Sequence, residues 1–203
     1  RPARNVKAAA VAVTICGDRV LLTRRPASMS SFPRAWVMAG GSVDATDASI
    51  GHAAMRELHE ETGLVATSPA GLEPFGLWES AFPTTQAEWR ERRLAGSSCR
   101  HYAIAMFALT VADATVPLTL QPGECDCACW VPVTQLLALC DGGGGNEQLS
   151  FERAPGSPAG PPVPASLLAG VYPNALGEGV GRAHLWALRT LMALKSQEPV
   201  HTP

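Results

Sequence analysis

The chain has 203 residues, enough for one sizeable domain with an appendage, and 46% of them are hydrophobic, enough to build a core. Charged residues make up 17% and the formal net charge is -2, which excludes a disordered polyelectrolyte and a whole-surface electrostatic grip on nucleic acid; DNA is not an expected partner. An anionic ligand has to be held locally, by a few arginines or by metal ions.

Residues 7–15 are rich in Ala and Val and read as a buried strand. Gly17-Asp18 is a turn signal, and 20–23 read as the hairpin partner. A polar loop follows over 24–34, then a short strand over 36–38 ahead of Gly40-Gly41. Residues 50–62 read as a helix, with Thr46 or Asp47 as its N-cap and Gly63 as a left-handed C-terminal cap. A strand is expected over 75–80 and a long basic excursion over 83–100. Further strands are expected over 101–111 and 125–131, and a short helix over 132–140. Residues 142–164 are dominated by Gly and Pro and bury too little apolar surface to offset their ordering entropy. A closing helix over 182–195 carries an apolar stripe of Leu185, Leu188 and Met192. The expected organisation is a core over 1–141, a flexible Gly/Pro-rich loop over 142–165 and a C-terminal helical extension over 166–203 packed on the core. Interleaved strands and helices point to an α/β fold.

No apolar run is long enough to span a membrane, and residues 1–10 lack the apolar stretch of a signal peptide. Of the six cysteines, Cys125, Cys127 and Cys129 alternate as on one face of a strand, which does not suit disulfides or the usual zinc spacing. A reducing, intracellular, cytoplasmic setting is expected.

The informative segment is Arg56-Glu57-Leu58-His59-Glu60-Glu61-Thr62-Gly63-Leu64. At the helical period Glu57, Glu60 and Glu61 fall on one face, where like charges repel by about 0.2–0.5 kcal/mol per pair. A divalent cation removes that penalty and gains oxygen ligands, and Mg2+ suits carboxylates combined with phosphate oxygens. Arg56 can pair with Glu60 one turn on, and Gly40-Gly41 offers a backbone carbonyl that can approach a metal. An exposed acidic helix face is the bland alternative.

This segment resembles the Nudix box, and residues 56–64 match its second half at every fixed position. The first half departs: 41–56 is one residue longer than the pattern, Asp47 stands in place of a Glu, and Ala39 precedes the Gly pair where many relatives have Pro. The extra residue is placed in the loop before Ile50, where it leaves the helix register intact. The resemblance implies a mixed sheet in an α/β/α sandwich and hydrolysis of a diphosphate bond with Mg2+ or Mn2+. It also implies roles: Glu60, Glu61 and the Gly40 carbonyl as metal ligands, Glu57 as ligand or general base, and Arg56 orienting the carboxylates. Glu124 is a further metal-binding or catalytic candidate, and Arg25 and Arg34 are candidates for holding phosphate or base through forked hydrogen bonds. More loosely, 77–80, His101-Tyr102 and the late Gly-rich run resemble the nucleoside diphosphate-linked moiety X motif 17 group, which implies methylguanosine-capped RNA or a dinucleotide as substrate. The basic stretch 90–100 would then track RNA, with Trp89 stacking on a base. A coenzyme A, sugar-nucleotide or nucleoside triphosphate substrate, or a module that binds a nucleotide without cutting it, are the alternatives.

Overall fold

The computed structural model describes residues 6–65, 74–83, 85–96, 99–142 and 149–197. In chain order it runs β1 (Lys7–Cys16), β2 (Arg19–Arg24), β3 (Trp36–Val37), β4 (Gly40–Ser42), α1 (Ile50–Thr62), β5 (Gly76–Phe82), α2 (Gln86–Leu94), β6 (Arg100–Thr110), β7 (Cys127–Pro132), α3 (Val133–Cys140), β8 (Ser150–Phe151), β9 (Val163–Pro164), α4 (Ala165–Leu168) and α5 (Arg182–Gln197). Seven strands form one mixed sheet. β1 lies parallel to β6, from Lys7 beside Tyr102 to Ile15 beside Thr110, and antiparallel to β2 and β4. β5 adds antiparallel to β6, while β3 and β7 add antiparallel to β2.

The period-2 alternation of side chains decides what each face of the sheet can hold. On one face Val11, Val13 and Ile15 of β1 join Met106, Cys127, Cys129 and Val131, and α3, α4 and α5 close over them with Leu136, Leu168, Leu185 and Leu188. On the other face β1 presents Ala10 and Ala12, beside Ala105 and Ala128, and α1 lays Ala53, Ala54 and Leu58 against them. Alanine against alanine lets the helix backbone approach the sheet closely. The architecture is thus helices on both faces of a mixed sheet, the expected α/β/α layering.

Helix α1 spans the expected residues, but its N-cap is Ser49, whose side chain accepts from the His52 N–H, rather than Thr46 or Asp47. Gly63 ends it in the left-handed conformation at φ 73°, as expected, with its N–H on the His59 carbonyl. The basic excursion is not all loop. α2 is capped by Thr85, whose Oγ1 accepts from the Glu88 N–H at 3.3 Å and donates to the Glu88 carboxylate at 2.8 Å. Arg92 of this helix lies over the Phe82 ring, and Trp89 meets His101 edge-on.

The Gly/Pro-rich stretch departs from the expected flexible loop. Positions 143–148 lie outside the described residues, but 149–165 contain the β8–β9 hairpin, with Phe151, Ala154 and Val163 buried. Backbone hydrogen bonds hold it as well: Ala154 N–H donates to Ala128 O (2.8 Å) and Leu118 N–H to Pro155 O (2.7 Å). Arg153 spans the turn, donating to the Pro158 and Pro161 carbonyls. Beyond α4, residues 170–181 run beside β3. Trp36 N–H donates to Gly179 O (2.9 Å), and Gly181 N–H donates back to Trp36 O (3.0 Å).

Candidate metal centre

Three structural devices bring carboxylates together. The first is α1 itself, which places Glu57 and Glu61 one turn apart on the flank facing β4. The second is the glycine pair: a Cβ on Gly41 would lie 2.5 Å from a Glu57 oxygen, and one on Gly40 would lie 2.5 Å from the Ala10 carbonyl. Only a strand without side chains leaves room for the Glu57 carboxylate there. The third is the open C-terminal end of α1, whose last carbonyls have no partner within the helix. Thr119 N–H donates to Thr62 O (2.8 Å) and Gln121 N–H to Glu61 O (3.1 Å). These bonds dock the 118–125 segment on the helix end and deliver Glu124 to Glu57 and Glu61.

Oxygens of Glu57, Glu61 and Glu124 all lie within 4.8 Å of one another. Glu61 is buried. Its Oε1 accepts the Gly40 N–H at 3.1 Å, and the Cys125 thiol is directed at its Oε2 at 3.6 Å. Burial pushes the Glu61 carboxyl up to about 8 despite the Gly40 bond, with Glu124 and Glu57 adding repulsion. Burial also raises Glu57, against the opposing pull of Arg56. Three hard-oxygen groups held close and short of neutralising charge fit a divalent cation such as Mg2+ or Mn2+.

Arg56 organises the rim. Its Nε and NH2 take both oxygens of Asp47 at 3.0 Å each. Its NH1 reaches Glu57 Oε1 (2.9 Å) and Glu60 Oε2 (2.8 Å), and NH2 also donates to Ser42 O (3.0 Å). The Asp47 side chain is almost fully covered, and the paired guanidinium holds its carboxyl below the usual range. The Asp47 pair in turn raises the Arg56 guanidinium.

The sequence candidates therefore separate. Glu57, Glu61 and Glu124 converge. Glu60 lies outside that trio, with its half-exposed side chain turned to Arg56. Gly40 enters through its amide, which binds Glu61, where the sequence pointed to its carbonyl. Arg25 is engaged with its own loop, Nε on Ser31 O at 3.2 Å. Arg34 reaches Glu178 Oε1 at 3.2 Å. Sequence reasoning missed Glu178, a buried carboxylate that also receives Trp36 Nε1 at 2.9 Å and Arg24 at 3.5 Å. No local pattern marks it, since its partners lie more than a hundred residues away in the chain.

A family model described as NUDIX domain matches residues 6–149. Among curated proteins, the m7GpppN-mRNA hydrolase NUDT17 of Xenopus laevis is 46% identical over 74 residues, 36% of this chain and 24% of that protein. The m7GpppN-mRNA hydrolase NUDT17 of Danio rerio is 32% identical over 135 residues, 64% of this chain and 42% of that protein. The chain thus spans less than half the length of these relatives. Among solved structures, a MutT/nudix family protein from Enterococcus faecalis is similar in fold, with a TM-score of 0.58 at 14% identity over 100% of this chain and 67% of that one. With the family model covering most of the chain and the layered fold and acidic box helix in place, this chain belongs to the Nudix family.

Proposed function

We propose that the chain hydrolyses a diphosphate bond in a nucleoside diphosphate-linked substrate, with methylguanosine-capped RNA or a cap-like dinucleotide as the favoured class. The observation that carries the reaction type is the convergence of Glu57, Glu61 and Glu124 beside a glycine strand that leaves them room. The substrate class leans on the relatives whose names describe mRNA cap hydrolysis.

In this reading Glu57, Glu61 and Glu124 would hold Mg2+ or Mn2+, with the Gly40 carbonyl as a further oxygen donor. Glu60 belongs to the same proposed set. Its ion pair with Arg56 lies at the surface, where such pairs contribute ~0–1 kcal/mol, so a divalent cation can draw the carboxylate away. A bound cation would supply charge neutralisation at the phosphate oxygens and a more acidic water. Arg56 keeps the carboxylates in register through Asp47 and Glu57. Where Glu61 and Glu124 alone hold the cation, Glu57 serves instead as the general base: Oε1 is held by Arg56, which leaves Oε2 to take the proton of the attacking water. Its burial makes it a stronger base than a solvated glutamate.

The test is Mg2+-dependent turnover of a panel: m7GpppG, ADP-ribose, coenzyme A, UDP-glucose and a nucleoside triphosphate, with products identified. Release of a nucleoside diphosphate or monophosphate from m7GpppG at the highest kcat/KM supports the reading. Preference for another member replaces the substrate class. Tight binding with no turnover of any member overturns the reaction.

A further inference from the structure

Residues 26–34 join β2 to β3, and their backbone carries strain. Phe32 and Arg34 are the positive-φ non-glycine residues of the described chain, at 51° and 63°. Side chains of this size rarely adopt that region, and they persist there only where the surroundings hold them. Here the surroundings do: Arg25 N–H donates to Ala35 O (3.0 Å), Arg34 N–H to Arg25 O (3.0 Å), and Ala35 N–H to Phe32 O (3.2 Å). The result is an outward-facing ring. Phe32 is 62% exposed, and its one aromatic neighbour among the described residues, Tyr172, meets it edge-on with centroids 6.0 Å apart.

Arg34 stands two residues after Phe32 in the same turn. Its guanidinium is half-exposed, and NH1 rests on Glu178, which Trp36 and Arg24 clamp from the other side. Arg24 continues the network to Asp126, Nε to Oδ1 at 2.7 Å, and Asp126 is the second residue after Glu124. Side-chain contacts therefore run from the loop to Asp126, two residues along the chain from the carboxylate cluster. An exposed π-face and a fixed, forked donor presented by one loop are the chemistry that takes a nucleobase and its ribose-phosphate: the ring stacks, and the guanidinium binds ring or phosphate oxygens. Tyr172 and Glu178 both come from the segment after α4, so residues that look like an appendage in the sequence complete this wall.

We propose that Phe32, Tyr172 and Arg34 form the nucleobase-binding wall of the active site, with Glu178 as the positioning residue that fixes Arg34. The proposal rests on the diphosphate-hydrolase reading, since the base is that of the same substrate.

The experiment measures binding, which needs no turnover. The full chain with Mg2+ is titrated with guanosine 5′-(α,β-methylene)diphosphate, which carries a base, and with methylenediphosphonate, which does not. Phe32→Ala is expected to weaken the first about five- to one-hundred-fold, as loss of a base–aromatic stack does, and to leave the second as it was. Phe32→Trp, which keeps a π-face, is expected to restore the affinity. Arg34→Ala is expected to weaken the base-bearing probe as well. Equal loss of both probes in Phe32→Ala, no loss of either, or a wild type that binds the two equally overturns the wall. If the wild type turns over no substrate yet loses base-dependent affinity in Phe32→Ala, the hydrolase reading fails and the wall stands. If it turns over substrate and Phe32→Ala keeps its KM, the wall fails and the hydrolase stands. For Glu178→Gln, a rise in KM that exceeds the fall in kcat supports positioning of Arg34. A fall in kcat at constant KM removes Glu178 from the wall and assigns it to Asp126 and the cluster.

Discussion

Replacing Glu61 by glutamine is expected to stabilise the metal-free protein at neutral and higher pH. In the folded chain the Glu61 carboxyl is pushed up to about 8 by burial, with Glu124 and Glu57 adding to it, while its ordinary value is 4.5. Between those values the folded protein keeps a proton that the unfolded chain has released. Stability from this group is therefore complete below pH 4.5, falls as pH rises, and levels off above about 8. pH 7 lies roughly 2.5 units above the ordinary value and still below the folded one, which at about 1.36 kcal/mol per unit gives a destabilisation of about 3 kcal/mol relative to low pH. For a domain of this size that is about 6–12 °C in Tm. Glutamine keeps an acceptor for the Gly40 N–H and has nothing to ionise. The assay is urea unfolding at pH 5 and pH 8 in a chelator. Wild type is expected to lose stability between the two, and Glu61→Gln to lose less. Mg2+ at pH 8 is expected to restore wild type and do little for the variant, because a carboxylate is needed to hold it. Parallel pH curves for the two proteins, or a variant less stable than wild type at pH 8, would refute the assignment of Glu61 as a strained carboxylate awaiting a cation.

Gly41→Ala is expected to leave the fold nearly as stable, since the new Cβ meets the movable end of Glu57, and to lower kcat at least tenfold as that carboxylate is displaced; circular dichroism and steady-state kinetics read the two. Glu60→Gln is expected to lower turnover a hundredfold or more with the fold intact, and full activity would remove Glu60 from the cation set and leave it as a partner of Arg56 alone. Gly156→Ala is expected to cost about 2–3 kcal/mol by thermal unfolding, because φ is +82° there and a Cβ would lie 2.0 Å from the Leu118 carbonyl.

The parts of this protein that were legible in its sequence are those whose cause is local. Helix α1 follows from its apolar spacing and from Gly63, and β1 and β2 from apolar runs around a Gly-Asp turn. Glu57 and Glu61 share a helix face by period alone. What stayed hidden depends on contacts distant in the chain. Glu178 is identified only by Arg24, Arg34 and Trp36 closing on it. The 149–165 hairpin has little apolar surface, so a composition argument assigns it no structure; its hydrogen bonds to Ala128 and Leu118 supply what composition lacks. The start of α2 was readable: Thr85 and Glu88 stand at capping-box spacing, and the surrounding charge hid the signal.

Asp47 shows how a departure from the family pattern is absorbed. The loop before α1 has one residue more than the pattern, and its acid is one methylene shorter. With Ser49 as its cap α1 keeps the expected span, and Arg56 emerges on the same flank as Glu57 and Glu60. The short Asp47 side chain meets Arg56 with both oxygens, in the forked geometry that a carboxylate and a guanidinium favour. Arg56 is then engaged by Asp47 on the loop side and by Glu57 and Glu60 on the helix side. A cation bound by Glu61 and Glu124 would displace the proton that burial keeps on Glu61 at neutral pH, which is the charge the proposed chemistry requires.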